Sequence, residues 1–272
     1  MNLTDDWLKT ALTITGSFET NGDPWSEVTG NFDTEGVSCG VLQWNIGQGS
    51  LQPLVKAAGK QTVLQYMPNY GSQFWQACNL PIPQALATVN AWQDGNTLKR
   101  DALAELRACM GSAPLKTQQI KAATAVGNAA LNLANAWSQS VRNIDTPLLH
   151  EFCWFFDLVT QNGGLKGLSH ADVTDFINAH TDGQTAVQFI CDWLAAAPAE
   201  AHGSEDAQSN AANWPDSVDD TTRELFILSY LRCQKASSAW EYDVMNRKGT
   251  LAVKSGVVHG KPLDFNAQFQ QA

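Results

Sequence analysis

From Ser50 onward the chain offers one helical segment after another, and only the stretch 31–44 carries the two-residue alternation expected of strands. That imbalance constrains the fold more than any other feature. Helices must supply nearly all the apolar faces, so the core is helix against helix with one small antiparallel sheet attached, a mostly helical α+β class. The first helix is bounded by local chemistry. Thr4 can cap it, Asp5 and Asp6 favour its first turn, Trp7, Ala11, Ile14 and Phe18 recur at helical spacing, and Gly16 weakens its end. In 31–44, Phe32, Val37, Cys39 and Val41 alternate with small or polar residues, with Gly36 and Gly40 as turn points.

Further helices are expected over LQPLVKAA after Ser50, PIPQALATVNAW, LKRDALAELRACM after Thr97, and an Ala-rich run from Thr117 to about Val141. Thr146-Pro147 reads as the opening of LLHEFCWFFDLVTQ, which should stop at Asn162-Gly163-Gly164. Ser169 caps the next helix, TAVQFICDWLAA follows, and two more helices cover DDTTRELFILSYLRCQ and SSAWEYDVMNRKGTLAV before a GVVHG turn. The small, polar, acidic segment at about 195–217 reads as a loop, and with no internal repeat the 272 residues are expected to form one domain, two lobes around a cleft.

Composition excludes several classes. Lys and Arg number 17 against 27 Asp and Glu, a formal charge of −10, which argues against nucleic acid or an anionic membrane as partner. No apolar run approaches the roughly 18–20 residues of a membrane span. The opening MNLTDDWLKT lacks a basic n-region and a long apolar h-region, so a chain starting there would be made in the cytoplasm without a signal peptide, or cut from a larger protein. The six cysteines are widely spaced, with no CxxC and no nearby histidine at metal-ligand spacing, and read as free buried thiols; no metal or cofactor is called for. His150, His170, His180 and His202 read as structural, and His259 in GVVHG is the one histidine that could reach a cleft.

The chemistry concentrates in SFETNGDPWSEVTGNFDTEGVSCGVLQWN at 17–45. Glu19 emerges at the end of a buried helix, where partial desolvation favours the protonated form a general acid needs. Asp33 opens the alternating segment beside glycines and backbone amides, where it would stay ionised. Two carboxyls whose surroundings push their proton affinities apart can divide acid and base roles, and for a glycosidic bond they suffice. Glu27 is a rival second carboxylate, and Glu35 a weaker one. Ser38 could hold the water, Gln43, Asn45 and Gln48 offer amides to sugar hydroxyls and N-acetyl groups, and Trp25 and Trp44 offer faces for pyranose rings. A helix-terminal Glu before an acidic loop is also what plain solvated surface looks like.

As a whole, this helix ending in Glu, a loop, and DTEGVSCG resembles the lysozyme-like superfamily, including the Asp-Thr-Glu-Gly hairpin of phage-type lysozymes and the Asp-x-x-Gly hairpin of chitosanases. The resemblance implies a lysozyme-like fold, with Glu19 as general acid, Asp33 handling the water and Ser38 where those families carry Thr. SFET, VTGNFD and SCGVLQWNIGQGSLQPL, with FFDLVTQNGGL at 155–165 and VMNRKGTLAVKSGVVHG at 244–260, look more specifically like bacterial peptidoglycan-targeting domains of type VI secretion effectors. Val37 stands where the better-known hairpins carry an aromatic residue, and 14 residues separate Glu19 from Asp33. The expectation is a peptidoglycan glycoside hydrolase of muramidase type, made in the cytoplasm and acting in the periplasm or wall of a target bacterium, an antibacterial effector or lysin. A delivered toxin would imply a cognate immunity protein that plugs the cleft. The alternatives are a chitosanase, which the −10 charge would suit, and a non-catalytic wall-binding module.

Overall fold

The computed structural model describes residues 2–18, 22–32 and 34–270. The chain is mostly helical with small antiparallel sheets, the α+β arrangement expected, and it divides into two compact units, Leu12–Ala125 and Met1–Ala11 with Val126–Ala272.

The first helix, α1 (Asp5–Ser17), contributes residues to both units. Its cap is the expected one, with Trp7 N–H donating to Thr4 Oγ1 at 3.2 Å. In the first unit a 3₁₀ turn (Pro24–Ser26) leads into β1 (Val28–Thr29), β2 (Ser38–Cys39) and β3 (Trp44–Asn45), an antiparallel sheet in that order. Pairing sets Val28 beside Cys39 and Cys39 beside Trp44, and Thr29 beside Ser38 and Ser38 beside Asn45. Successive residues of a strand face opposite ways, so one row is apolar and the other polar. The apolar row packs into a core with Val37, Ile46, Leu51, Val55, Phe74, Trp92 and Leu106.

Helices α2 (Leu51–Ala58), α3 (Lys60–Tyr66), α4 (Gly71–Ala77), α5 (Ile82–Asn90) and α6 (Arg100–Met110) supply the rest of that core. Between α5 and α6 lies a short hairpin, β4 (Gln93–Asp94) and β5 (Thr97–Leu98), turning on Gly95-Asn96. Thr97 is therefore in a strand rather than at a helix start. The Ala-rich run forms α7 (Ala113–Arg142), beginning four residues before Thr117.

The second unit contains α8 (Leu149–Asn162), α9 (His170–Ala179), α10 (Gly183–Ala195), α11 (Ser204–Asn213), α12 (Arg223–Cys233), α13 (Glu241–Val253), β6 (Ser255–Val258), β7 (Lys261–Asp264) and α14 (Asn266–Gln270). Helix α8 is capped by Leu148, two residues beyond the Thr146-Pro147 opening expected, with Leu148 N–H donating to Glu151 Oε2 at 2.7 Å, and it stops at left-handed Gly163 as expected. The GVVHG turn is the tip of the β6–β7 hairpin, with His259 and Gly260 at φ +54° and +72°.

The acidic segment at 195–217 is corrected: it is no continuous loop, because α11 occupies Ser204–Asn213. Ala207, Asn210, Ala211 and Trp214 recur at helical spacing and are buried, and Asn210 exchanges hydrogen bonds with Val257 at 2.7 and 2.9 Å. Small side chains hid an ordinary amphipathic pattern. Around α8, Asp157 is fully buried between Arg247 and Lys248 of α13.

Candidate active site

Glu19 and Asp33, the two carboxylates on which the expected chemistry turns, lie outside the described residues. Phe18, immediately before Glu19, is 1% exposed. The backbone on either side of Asp33 is drawn together, because Gly36 N–H donates to Asn31 Oδ1 at 2.8 Å. Gln93, 9% exposed, ties the same two points from below: its Oε1 accepts from Asn31 N–H at 2.8 Å and its Nε2 donates to Gly36 O at 3.0 Å.

A second buried amide fixes the far side of the hairpin. Gln119 of α7 is fully buried, accepts from Val41 N–H at 3.1 Å, and donates to Trp25 O at 3.1 Å and Met110 O at 3.0 Å. Gly40, at φ +75°, lies over it, and a Cβ there would come within 2.5 Å of Gln119 Oε1. A glycine is thus required twice over, by backbone and by space.

The structure brings several expected residues together. Ser38 (2% exposed) and Asn45 (6%) are neighbours in the polar row of the sheet with Thr29. Gln43 joins them, its Oε1 accepting from Thr29 Oγ1 at 3.2 Å and its Nε2 donating to Gly40 O at 3.0 Å. Asn45 Oδ1 accepts from Gln48 N–H at 2.8 Å, which leaves Gln48 as the exposed amide of the set. Gln43 and Asn45 therefore hold the hairpin's own backbone, a structural duty the sequence reading did not give them.

The aromatic and acidic candidates fare differently. Trp25 is 5% exposed and leaves no open face on which a pyranose could stack. Trp44 is half-buried, packed on the first unit's core from the apolar row. Glu27 is clamped by Arg107 of α6 at 3.3 Å, and Asp23 by Lys116 of α7 at 3.1 Å. Glu35 sits against the turn at 46–49, where a Cβ on Gly47 would fall 1.9 Å from its Oε2.

Sequence reading missed Gln93 and Gln119, which position this loop. The available signal was faint: Gln119 lies midway between Leu115 and Ala123 at four-residue spacing, all three fully buried. His259 belongs to the second unit, its Nε2 3.0 Å from Asp243 Oδ1, beside a cavity of about 410 Å³ also lined by His202, Glu205 and Trp240. All six cysteines are free and buried, as expected. Comparison with family models, curated proteins and solved structures found no match to this chain.

Proposed function

We propose that the chain is a glycoside hydrolase of lysozyme type that cleaves the glycan strands of bacterial peptidoglycan, with Glu19 donating the proton and Asp33 activating the water. The observation that supports the reading is the local order: a helix ending at Ser17 with buried Phe18 just after it, then a three-stranded antiparallel sheet whose loop is pinned on both sides of position 33 by Asn31 and Gln93. A loop that only carried charge would need no such bracing by buried amides. A base that must hold a water in line with a sugar does need it.

The same reading makes the protein an antibacterial effector or lysin that meets its substrate in a target cell's wall, and a delivered toxin would require an immunity protein in the producer. Digestion of purified sacculi by the wild type, Glu19→Gln and Asp33→Asn, with products identified by mass spectrometry, tests it. The expected result is release of muropeptides with new reducing ends by the wild type alone, and a rate loss of about 10²–10⁴ or more for Glu19→Gln, which removes the acid. Sacculi left intact by the wild type would refute the reading.

A second reading, chitosanase, is favoured by one observation, the −10 charge, which suits a cationic polymer and opposes an anionic wall. Chitosan and sacculi assayed side by side separate the two. Binding to sacculi that survives Glu19→Gln, with no hydrolysis by either form, would instead identify a wall-binding module.

A further inference from the structure

A cavity of about 340 Å³ opens in the second unit, lined by Trp7, Pro147, Leu148, Leu149, His150, Lys254 and Phe269. This is the lower end of the roughly 300–1,000 Å³ range of small-molecule sites, and such sites are mostly apolar with a few convergent polar groups. Here the walls are aromatic, prolyl or leucyl, and the polar groups are two.

The first is His150. Only 4% exposed, it has an Nε2 without any hydrogen-bond partner, and the ring of Phe269 stands edge-on to it at 6.0 Å. Burial, and then the charge of Lys254, push the imidazole down to about 4, so it is neutral near pH 7. The second is Lys254, the left-handed residue that ends α13, half-buried and without an ion pair among the described residues. The nearby Glu151 is already committed to Arg142, at 2.7 Å through Nη2, and to Leu148 N–H.

We propose that this cavity binds a small monocarboxylate with an apolar body, its carboxylate paired with the Lys254 ammonium and its body against Trp7, Leu148, Phe269 and the neutral His150 ring. The chemistry of the lining selects that class. An uncharged ligand would leave the ammonium unanswered, whereas a phosphate dianion would turn its remaining oxygens toward apolar walls at a desolvation cost. The site is independent of the hydrolase reading, and its test needs no enzymatic activity.

Calorimetric titration of the full chain with phenylacetate and with phenylacetamide, its neutral isostere, is decisive. Phenylacetate should bind with a single-site isotherm and at least about ten-fold more tightly than the amide. Lys254→Asn, which keeps a residue tolerant of φ +72°, should abolish that preference while leaving the thermal melt unchanged. Phenylacetate that fails to bind at about 10 mM, or an amide that binds equally well to the wild type, overturns the proposal, and neither comparison depends on the variant folding. So does a folded Lys254→Asn protein that retains the preference.

Discussion

Replacing Asp157 with Asn should destabilise the second unit by an amount its surroundings define. Asp157 is fully buried and accepts from Arg247 Nε at 3.1 Å, Arg247 Nη2 at 2.8 Å and Lys248 Nζ at 2.5 Å. Burial pushes its carboxyl up, but the charges and hydrogen bonds of Arg247 and Lys248 overcome that and hold it at about 2. Lys248, also fully buried, is driven down by burial to about 8 against the pull of Asp157. Removing one member of a buried pair costs about 3–5 kcal/mol. Urea unfolding followed by tryptophan fluorescence, which Trp154 and Trp214 of this unit report, should therefore show a loss of about 3–5 kcal/mol at pH 7.

The pH dependence is the sharper test. A lysine neutral in the folded state and protonated in the unfolded state makes the unfolded chain bind more protons, so stability rises with pH between the two pKa values. In the wild type that rise sets in around pH 8; in Asp157→Asn, where the lysine is driven lower still, it is already under way at pH 7. The gap between the two proteins should narrow by about 1 kcal/mol from pH 7 to pH 8, one pKa unit's worth less the gain of the wild type as its own lysine begins to titrate. A loss under about 1 kcal/mol at pH 7, or a gap that widens over that interval, would refute the reasoning.

Three further results are expected. Gln119→Ala should cost about 2–4 kcal/mol in urea unfolding of the first unit, because it orphans the buried partners at Val41, Trp25 and Met110. Gly249→Ala should lower stability by about 1–3 kcal/mol despite alanine's better helix propensity, since its Cβ would meet the Trp214 ring at 2.5 Å, and calorimetry reads the drop in Tm. The thiols should not react with a disulfide reagent in the native protein at pH 8, burial having raised Cys78 and Cys109 to about 12, while all six should react in denaturant.

Where the sequence was legible, local chemistry and burial agreed. Thr4 caps α1, Gly163 ends α8, and the alternation around Val37 and Cys39 marks the sheet, because each signal acts within a few residues. What was hidden is of two kinds. Helix α11 presents Ala and Asn where a pattern search expects Leu, and the β4–β5 and β6–β7 hairpins are too short to alternate convincingly. The remainder is non-local: Asp157, in 155–165, joins Arg247 and Lys248, in 244–260, across about ninety residues of chain. Likewise the Gln93 and Gln119 anchors act across 62 and 78 residues, beyond any spacing rule.

The choice of second carboxylate can be argued further. Glu27 was a rival to Asp33, and its environment speaks against it. Its carboxylate is held by Arg107 and its backbone carbonyl accepts from Gly40 N–H at 2.7 Å, so residue 27 ties the hairpin to α6 by both its side chain and its main chain. A base must swing a lone pair onto water, and a guanidinium already occupies that charge. Under the proposed hydrolase reading, Glu27→Gln should therefore weaken a half-exposed ion pair by no more than about 1 kcal/mol and leave turnover on sacculi within a few-fold of wild type, while Asp33→Asn should abolish it. If instead Glu27→Gln folds normally and loses about 10²-fold or more in kcat with KM unchanged, the water is activated from residue 27, and Arg107 becomes the group that positions the base.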